Sequence, residues 1–222
     1  MVRSEAELSR ERLLAGVRKF RREVYPHRQA DYERVVREGQ KPHALFITCA
    51  DSRVDPELLT QSGPGEIFVL RNIGNLVPAY GEMLGGVSSA VEFAVAALQV
   101  KQIVVCGHAD CGAMKGLLHP EQLSTMPTVK SWLRNAEAAL SVVQARNSVE
   151  PATLLLDNLI EENVLLQISH LRTHPSVAAR IAAGKMILSG WVYDIARGTV
   201  HLYDEGQSRF VPVEAESEPT LG

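Results

Sequence analysis

The chain has 222 residues, 45% of them hydrophobic and 22% charged, enough to bury the core of one large domain or two small ones. Its formal net charge of -3, with no dense Lys/Arg stretch in the interior, excludes nucleic acid as the main partner, and no run approaches the roughly 18–20 apolar residues that cross a bilayer. The N-terminus carries acids and no apolar core, so it reads as neither a signal nor a transit peptide, and three cysteines, too few and odd in number for a disulfide framework, point to the reducing cytoplasm.

Ser4 and Glu7 read as a capping box opening a helix that carries Leu8, Leu14, Val17, Phe20 and Val24 at roughly helical spacing, and Pro26 is expected to stop it. Residues 31–38 make a second short helix, with Tyr32, Val35 and Val36 inward, before Gly39. Residues 1–40 thus form a helical arm outside the sheet unit, and its apolar stripe packs either on a partner subunit or on the chain's own sheet. Residues 43–48 are a short, buried strand, residues 55–61 a brief turn or helix, and Ser62-Gly63-Pro64-Gly65 a break. Residues 66–71 are a second strand and 72–81 a loop, after which Gly85-Gly86 leads into a small-residue helix, 88–99, expected to be buried against the sheet.

Residues 103–106 form the third strand and 110–118 a short helix. Two long helical patterns follow at 127–146 and 151–172, then a short one at 175–183 ended by Gly184. Residues 187–195 and 200–203, around Arg197-Gly198, read as a hairpin or adjacent strands, and the acidic stretch from 214 on as a loose tail. Strands alternating with helices indicate an α/β fold, a parallel-centred mixed β-sheet flanked by helices, as one domain over 1–222.

Two runs carry the chemistry: Cys49-Ala50-Asp51-Ser52-Arg53 and His108-Ala109-Asp110-Cys111, each following a short apolar strand. If those strands are parallel neighbours, their carboxyl ends open on one edge, where open α/β sheets bind ligands. Two thiols and an imidazole there suit tetrahedral zinc, and three protein ligands leave the fourth position of a catalytic site open. In extended chain, Cys49, Asp51 and Arg53 point to one side, so Arg53 can grip the Asp51 carboxylate in a bidentate fork. Asp51 either orients a hydroxide on the metal or ligates the open position and shuts the site, and Arg53 holds it in the first role. Zinc with two thiolates and a neutral imidazole has no formal charge, so activity is expected to need mildly alkaline conditions or help from neighbours.

Cys106, inside the third strand, reads as packing. His170 and His174 could share a helix face as a metal pair, but without a nearby acid or thiol they read as solvated surface. His27, His43, His119 and His201 belong to no constellation, and Gly81 to Gly86 lacks phosphate-loop spacing.

These residues resemble the β-class carbonic anhydrases. The family's Cys-x-Asp-x-Arg stands at 49–53 and its His-x-x-Cys at 108–111, with Pro64-Gly65-Glu66, Arg71-Asn72-Ile73-Gly74-Asn75, Val91-Glu92-Phe93-Ala94 and Gly190-Trp191-Val192-Tyr193-Asp194 in the family's order. The resemblance implies one Zn2+ per subunit on Cys49, His108 and Cys111, with Asp51 and Arg53 as a catalytic dyad. It implies reversible hydration of carbon dioxide to bicarbonate and a proton by attack of zinc-bound hydroxide. It also implies a substrate pocket of Gln40, Phe68, Ile73, Phe93 and Gly112, built at the interface of a homodimer or dimer-based higher oligomer, with Gln40, Phe68 and Phe93 from the neighbouring subunit and the arm embracing that neighbour. Phe93 stands where the family often has Tyr. Phe46 stands where one branch has the Trp of a regulatory bicarbonate pocket, which places the chain nearer the plant- and cyanobacterial-like branch. That branch admits carboxysome association, for which the sequence holds no separate targeting signal. Two alternatives stay open: hydrolysis of carbon disulfide or carbonyl sulfide on the same site, and a non-catalytic zinc module closed by Asp51.

Overall fold

The computed structural model describes residues 3–81, 85–146 and 152–214, with the backbone alone at 152 and 153. The expected tail lies, apart from Glu214, outside the described residues, as does Pro151. The chain divides into two compact units, Met1–Gln40 with Gly63–Gly65, and Lys41–Ser62 with Glu66–Gly222. Among the described residues no helix is long and apolar enough to cross a membrane.

The first unit is helical. Ser4 Oγ accepts from the Glu7 amide at 3.2 Å while the Glu7 carboxylate accepts from the Ser4 amide at 2.8 Å, so the expected capping box opens α1 (Glu5–Lys19). Pro26 does not stop the helix. A five-residue π-helical turn, Phe20–Val24, joins α1 to α2 (Tyr25–Glu38), and Pro26 occupies the first turn of α2, where a missing N–H leaves no hydrogen bond unmade. The ring of Phe20 meets those of Tyr25 and Tyr32 edge-on at 6.1 and 6.2 Å, and the two tyrosines stack at 5.6 Å. Val36, expected inward, is 84% exposed, and Leu8, Leu14, Val17, Phe20 and Val24 are all exposed.

The second unit is built on six strands: β1 (Ala44–Cys49), β2 (Ile67–Asn72), β3 (Gln102–His108), β4 (Ile187–Asp194), β5 (Thr199–Asp204) and β6 (Arg209–Pro212), in the order β2-β1-β3-β4-β5-β6. The first four pair in parallel, and β5 and then β6 are added by antiparallel pairing, the mixed, parallel-centred sheet expected. The chain leaves β1 for β2 on one side and reaches β3 on the other, so a crevice opens at the carboxyl ends of β1 and β3. Register sets that edge: Cys49 pairs with Asn72, Thr48 with Cys106, and His108 with Tyr193.

Alternation along the strands splits the core. Leu45, Ile47, Ile103 and Val105 face α8 (Ala152–Thr173), packing with Val164 and Leu171, whereas Phe46, Val104 and Cys106 pack on the other face with Trp191, Tyr193 and Leu59 of α3 (Pro56–Thr60). Helix α8 lies close over the sheet because β3 and β4 present Gly107 and Gly190 to it. A Cβ at either would stand 2.9 Å from a Val164 methyl.

Three elements depart from the sequence reading. Residues 88–99 divide into α4 (Gly86–Glu92) and a π-helical turn, Phe93–Ala97, in which Phe93 is 49% exposed rather than buried. Residues 127–146 divide into α6 (Pro127–Trp132), a 3-10 turn, Leu133–Ala136, and α7 (Glu137–Arg146). There Asn135 Nδ2 donates to the Trp132 carbonyl and the Asn135 carbonyl accepts from Gln167 Nε2 of α8, drawing backbone groups from the regular ladder. Strand β6, four residues of mixed polarity, is added by pairing with β5. The last helices are α5 (Gly112–Leu118) and α9 (Pro175–Ala182).

Candidate metal centre

Cys49 ends β1, His108 ends β3, and Cys111 caps α5. All three are buried, at 5%, 0% and 1% exposure, and their ligand atoms lie within 4.8 Å of one another. None of the three cysteines forms a disulfide. His108 Nδ1 donates to the Ala109 carbonyl at 2.9 Å, which fixes the tautomer and leaves the Nε2 lone pair buried with no hydrogen-bond partner in the protein. A buried nitrogen without a partner costs free energy unless something coordinates it.

Hydrogen bonding from Cys111, with the Gly74 and Asp51 amides and against the opposing effect of burial, holds the Cys49 thiol well below the ordinary thiol range. The same bond, with burial, pushes Cys111 well above the ordinary thiol range, against the opposing amides of Met114 and Ala113 at the start of α5. Burial disfavours charge on His108, but the nearby Cys49 thiolate and Asp51 carboxylate outweigh it and the net shift is upward. A divalent ion held here would be met by both sulfurs and by the unpartnered nitrogen together. This donor set fits zinc.

Beside it, Asp51 and Arg53 form a bidentate pair: Arg53 Nε reaches Asp51 Oδ1 at 2.9 Å and Nη2 reaches Oδ2 at 2.8 Å. The chain is not extended here as the i, i+2, i+4 spacing suggests. Asp51 Oδ1 also accepts the Arg53 amide at 3.0 Å, and the Val54 amide donates to the Asp51 carbonyl, so the segment turns back and delivers the guanidinium to the carboxylate. Hydrogen bonding from Arg53 holds the Asp51 carboxyl well below the usual range. Asp51 Oδ2 stands 3.9 Å from His108 Nε2.

Arg71, which the sequence marks only as part of a family block, supports the first run: its Nε donates to the Cys49 carbonyl at 3.2 Å and its Nη2 to the Asp51 carbonyl at 2.7 Å. A lone charge ending the apolar run Ile67 to Leu70 was the available signal.

A family profile described as carbonic anhydrase matches residues 44–200. The carbonic anhydrase of Pseudomonas aeruginosa is 47% identical over 206 residues, 93% of each chain, and that of Synechococcus elongatus is 46% identical over 190 residues, 85% of this chain and 70% of its own. The solved structure of the β-carbonic anhydrase CcaA superposes with a TM-score of 0.89 at 41% identity, covering 92% of this chain and 100% of that one. A Coccomyxa β-carbonic anhydrase in complex with acetazolamide superposes at 0.75, with 34% identity over 85% of this chain and 83% of its own. The chain belongs to the β-class carbonic anhydrases.

In this β-class carbonic anhydrase the expected pocket residues are distributed unevenly. Gly112 is the first residue of α5, next to Cys111. Ile73 follows Asn72 at the same sheet edge, is 43% exposed, and its carbonyl accepts from Trp132 Nε1 at 2.8 Å. Phe68 pairs in register with Leu45, about 13 Å back along the strands from Cys49 at roughly 3.3 Å per residue. Its ring sits 6.0 Å from that of the half-exposed Phe93. Phe68 and Phe93 are thus neighbours of each other rather than of the cysteines of their own chain, and Gln40 belongs to the arm unit.

The histidine pair is no surface feature. His174 is 2% exposed, with Nε2 donating to the Pro78 carbonyl at 3.1 Å, and His170 Nδ1 donates to the Val77 carbonyl at 2.8 Å, so the end of α8 and the start of α9 are tied to the 77–78 loop. The sequence missed this because the acceptors are backbone carbonyls far away in the chain. Cys106 is fully buried and its thiol is pushed up to about 12 by burial, in keeping with packing.

Proposed function

We propose that Cys49, His108 and Cys111 hold one Zn2+ and that the chain uses it to interconvert carbon dioxide and bicarbonate, with Asp51 and Arg53 as the catalytic dyad. The observation that carries this reading is the buried, unpartnered His108 Nε2 within 4.8 Å of the Cys49 and Cys111 sulfurs, beside a carboxylate already clamped by arginine. Zinc bound there supplies a Lewis acid that makes water a nucleophile near neutral pH. The protein's own part is orientation. Asp51, kept ionised by Arg53, accepts a hydrogen bond from the attacking water at Oδ2 and so aims its lone pair at the carbon. With both oxygens engaged by Arg53, Asp51 is held as an acceptor rather than as a fourth ligand, which favours the catalytic reading over a closed zinc module.

Carbon dioxide has no hydrogen-bond donor and no net dipole, and an apolar wall suits it. Ile73 supplies that wall from one subunit and Phe68 and Phe93 from a second copy, while Gly112 gives a backbone contact beside the metal and the second copy's Gln40 a hydrogen bond to the substrate oxygen, in a homodimer or dimer-based oligomer. The exposed arm stripe and the exposed ring of Phe93 support the second copy, as does the tetrameric form named for the β-carbonic anhydrases of Sordaria macrospora. Three unbridged cysteines favour the cytoplasm.

The test is stopped-flow carbon dioxide hydration from about pH 6.5 to 9 on zinc-loaded protein, the range of zinc-water ionisation. The Asp51→Asn protein is expected to retain stoichiometric zinc and lose roughly 100-fold in kcat, within the range for acid–base groups. Unchanged turnover in that variant removes Asp51 from the mechanism, and no turnover in the parent with zinc bound removes the activity.

A further inference from the structure

Arg53 is 45% exposed, on a turn, and a long side chain so placed has ample rotamer freedom. Its grip on Asp51 requires the guanidinium plane to stay fixed, and the Asp51 side of that plane accounts for only part of its bonding. On the other side Nη1 donates to Asp110 Oδ2 at 2.9 Å and Nη2 to the Asp110 carbonyl at 3.4 Å. Asp110 turns both acceptors to one guanidinium because its backbone is left-handed, φ +61°, a conformation Asp and Asn adopt more readily than other side chains. The remaining carboxylate oxygen, Oδ1, is engaged by Lys115 Nζ. Lys115 lies on α5, and its amide donates to the Cys111 carbonyl at 3.0 Å. A line of alternating charges, Asp51, Arg53, Asp110, Lys115, therefore ties the dyad at the end of β1 to the helix that follows Cys111.

We propose that Asp110 and Lys115 are positioning residues that latch Arg53 in the orientation keeping Asp51 off the metal's open position. The inference rests on the function proposed above. Asp51 Oδ2 is already 3.9 Å from His108 Nε2, so a carboxylate released from Arg53 has a coordinating position within reach. The side chains of the latch, Asp110 at 56% and Lys115 at 44% exposure, are too solvated for their ion pairs to matter much to folding. Orientation is what they contribute.

The experiment is an azide titration of cobalt-substituted protein, followed by visible absorption, on the parent, Asp110→Asn, Lys115→Gln, Asp51→Asn and the Asp51→Asn/Asp110→Asn double variant. Asn is chosen at 110 because it keeps the left-handed backbone. Asp110→Asn is expected to weaken azide about tenfold and to lower kcat of the zinc enzyme by a similar factor, with melting temperature and metal content unchanged. Lys115→Gln is expected to act in the same direction, about threefold. In the Asp51→Asn background the Asp110→Asn effect on azide is expected to vanish, since the carboxylate that would compete is gone. Parent-like azide affinity in Asp110→Asn overturns the latch, and so does equal weakening with and without Asp51. Should Asp110→Asn fold or load metal poorly, parent-like affinity in Lys115→Gln overturns it instead. Full turnover in Asp51→Asn alone overturns the proposed role of Asp51, and the azide comparison still decides the latch.

Discussion

Gly107→Ala tests how tightly α8 is set against the strands that carry the site. The added Cβ would lie 2.9 Å from Val164 Cγ2 and 3.2 Å from Ile160 Cγ2. Ordinary carbon–carbon contact is about 3.5–4.0 Å, so the nearer overlap is at least about 0.6 Å. Both neighbours are β-branched residues in a helix, where one χ1 rotamer dominates, so neither side chain can swing clear and the helix itself must move. Overpacking of this kind costs about 1–3 kcal/mol, and the rigid neighbours put this case at roughly 2–3. At about 2–4 °C per kcal/mol for a chain of this size, the thermal midpoint by circular dichroism should fall by roughly 4–12 °C. Val164→Ala removes the nearest methyl and, alone, costs about 2 kcal/mol in lost burial. Combined with Gly107→Ala it should give a favourable coupling of at least about 1 kcal/mol. A Gly107→Ala midpoint within a degree of the parent, or strict additivity in the double variant, would refute the close-approach argument.

Arg71→Lys can reach only one of the two carbonyls that Arg71 holds, and is expected to lower kcat/KM roughly tenfold, about 1.4 kcal/mol, with Asp51 and Arg53 intact; parent-like kinetics would show that one donor suffices. Glu161 lies above the usual carboxyl range, first through burial and then through the charge of Asp157. Its ionisation therefore opposes folding at high pH and has no effect below about pH 4, where both states are protonated. Glu161→Gln should melt higher than the parent at pH 8 and lose that advantage as the pH falls toward 4, whereas an advantage constant with pH would point to packing. Zinc binding to the folded chain alone, at 100 times its Kd, stabilises by about 2.7 kcal/mol. Chelation should then lower the midpoint by roughly 5–11 °C, and an unchanged midpoint would mean that the cluster binds zinc weakly or not at all.

The parts of this site legible in the sequence are those set by local pattern. Two apolar, β-branched runs marked β1 and β3, and parallel pairing then brings Cys49, His108 and Cys111 together at their ends without further information. Contacts aimed at backbone from far along the chain left no such trace. Arg71 reaches carbonyls of another strand, Asn135 diverts a helix by bonding next door and to Gln167, and His174 is buried by a carbonyl of the 77–78 loop. The left-handed turn at Asp110 is equally silent, since Asp is at home in many conformations. Pro26 misled for a different reason: the same ring that breaks a helix interior is tolerated in a first turn, and only the π-helical turn before it decides which applies.

The strand order has a consequence for how the protein is made. β1 sits between β2 and β3, and both of its neighbours are synthesised after it. A nascent chain that has emerged only through β2 holds Cys49 with neither His108 nor Cys111, a single thiol that cannot chelate. His108 and Cys111, neighbours in one local run, join Cys49 only when β3 pairs along β1, a contact between segments distant in the chain. The three-residue cluster therefore exists only once the sheet's centre is complete, and the chain through β2 carries one of its members.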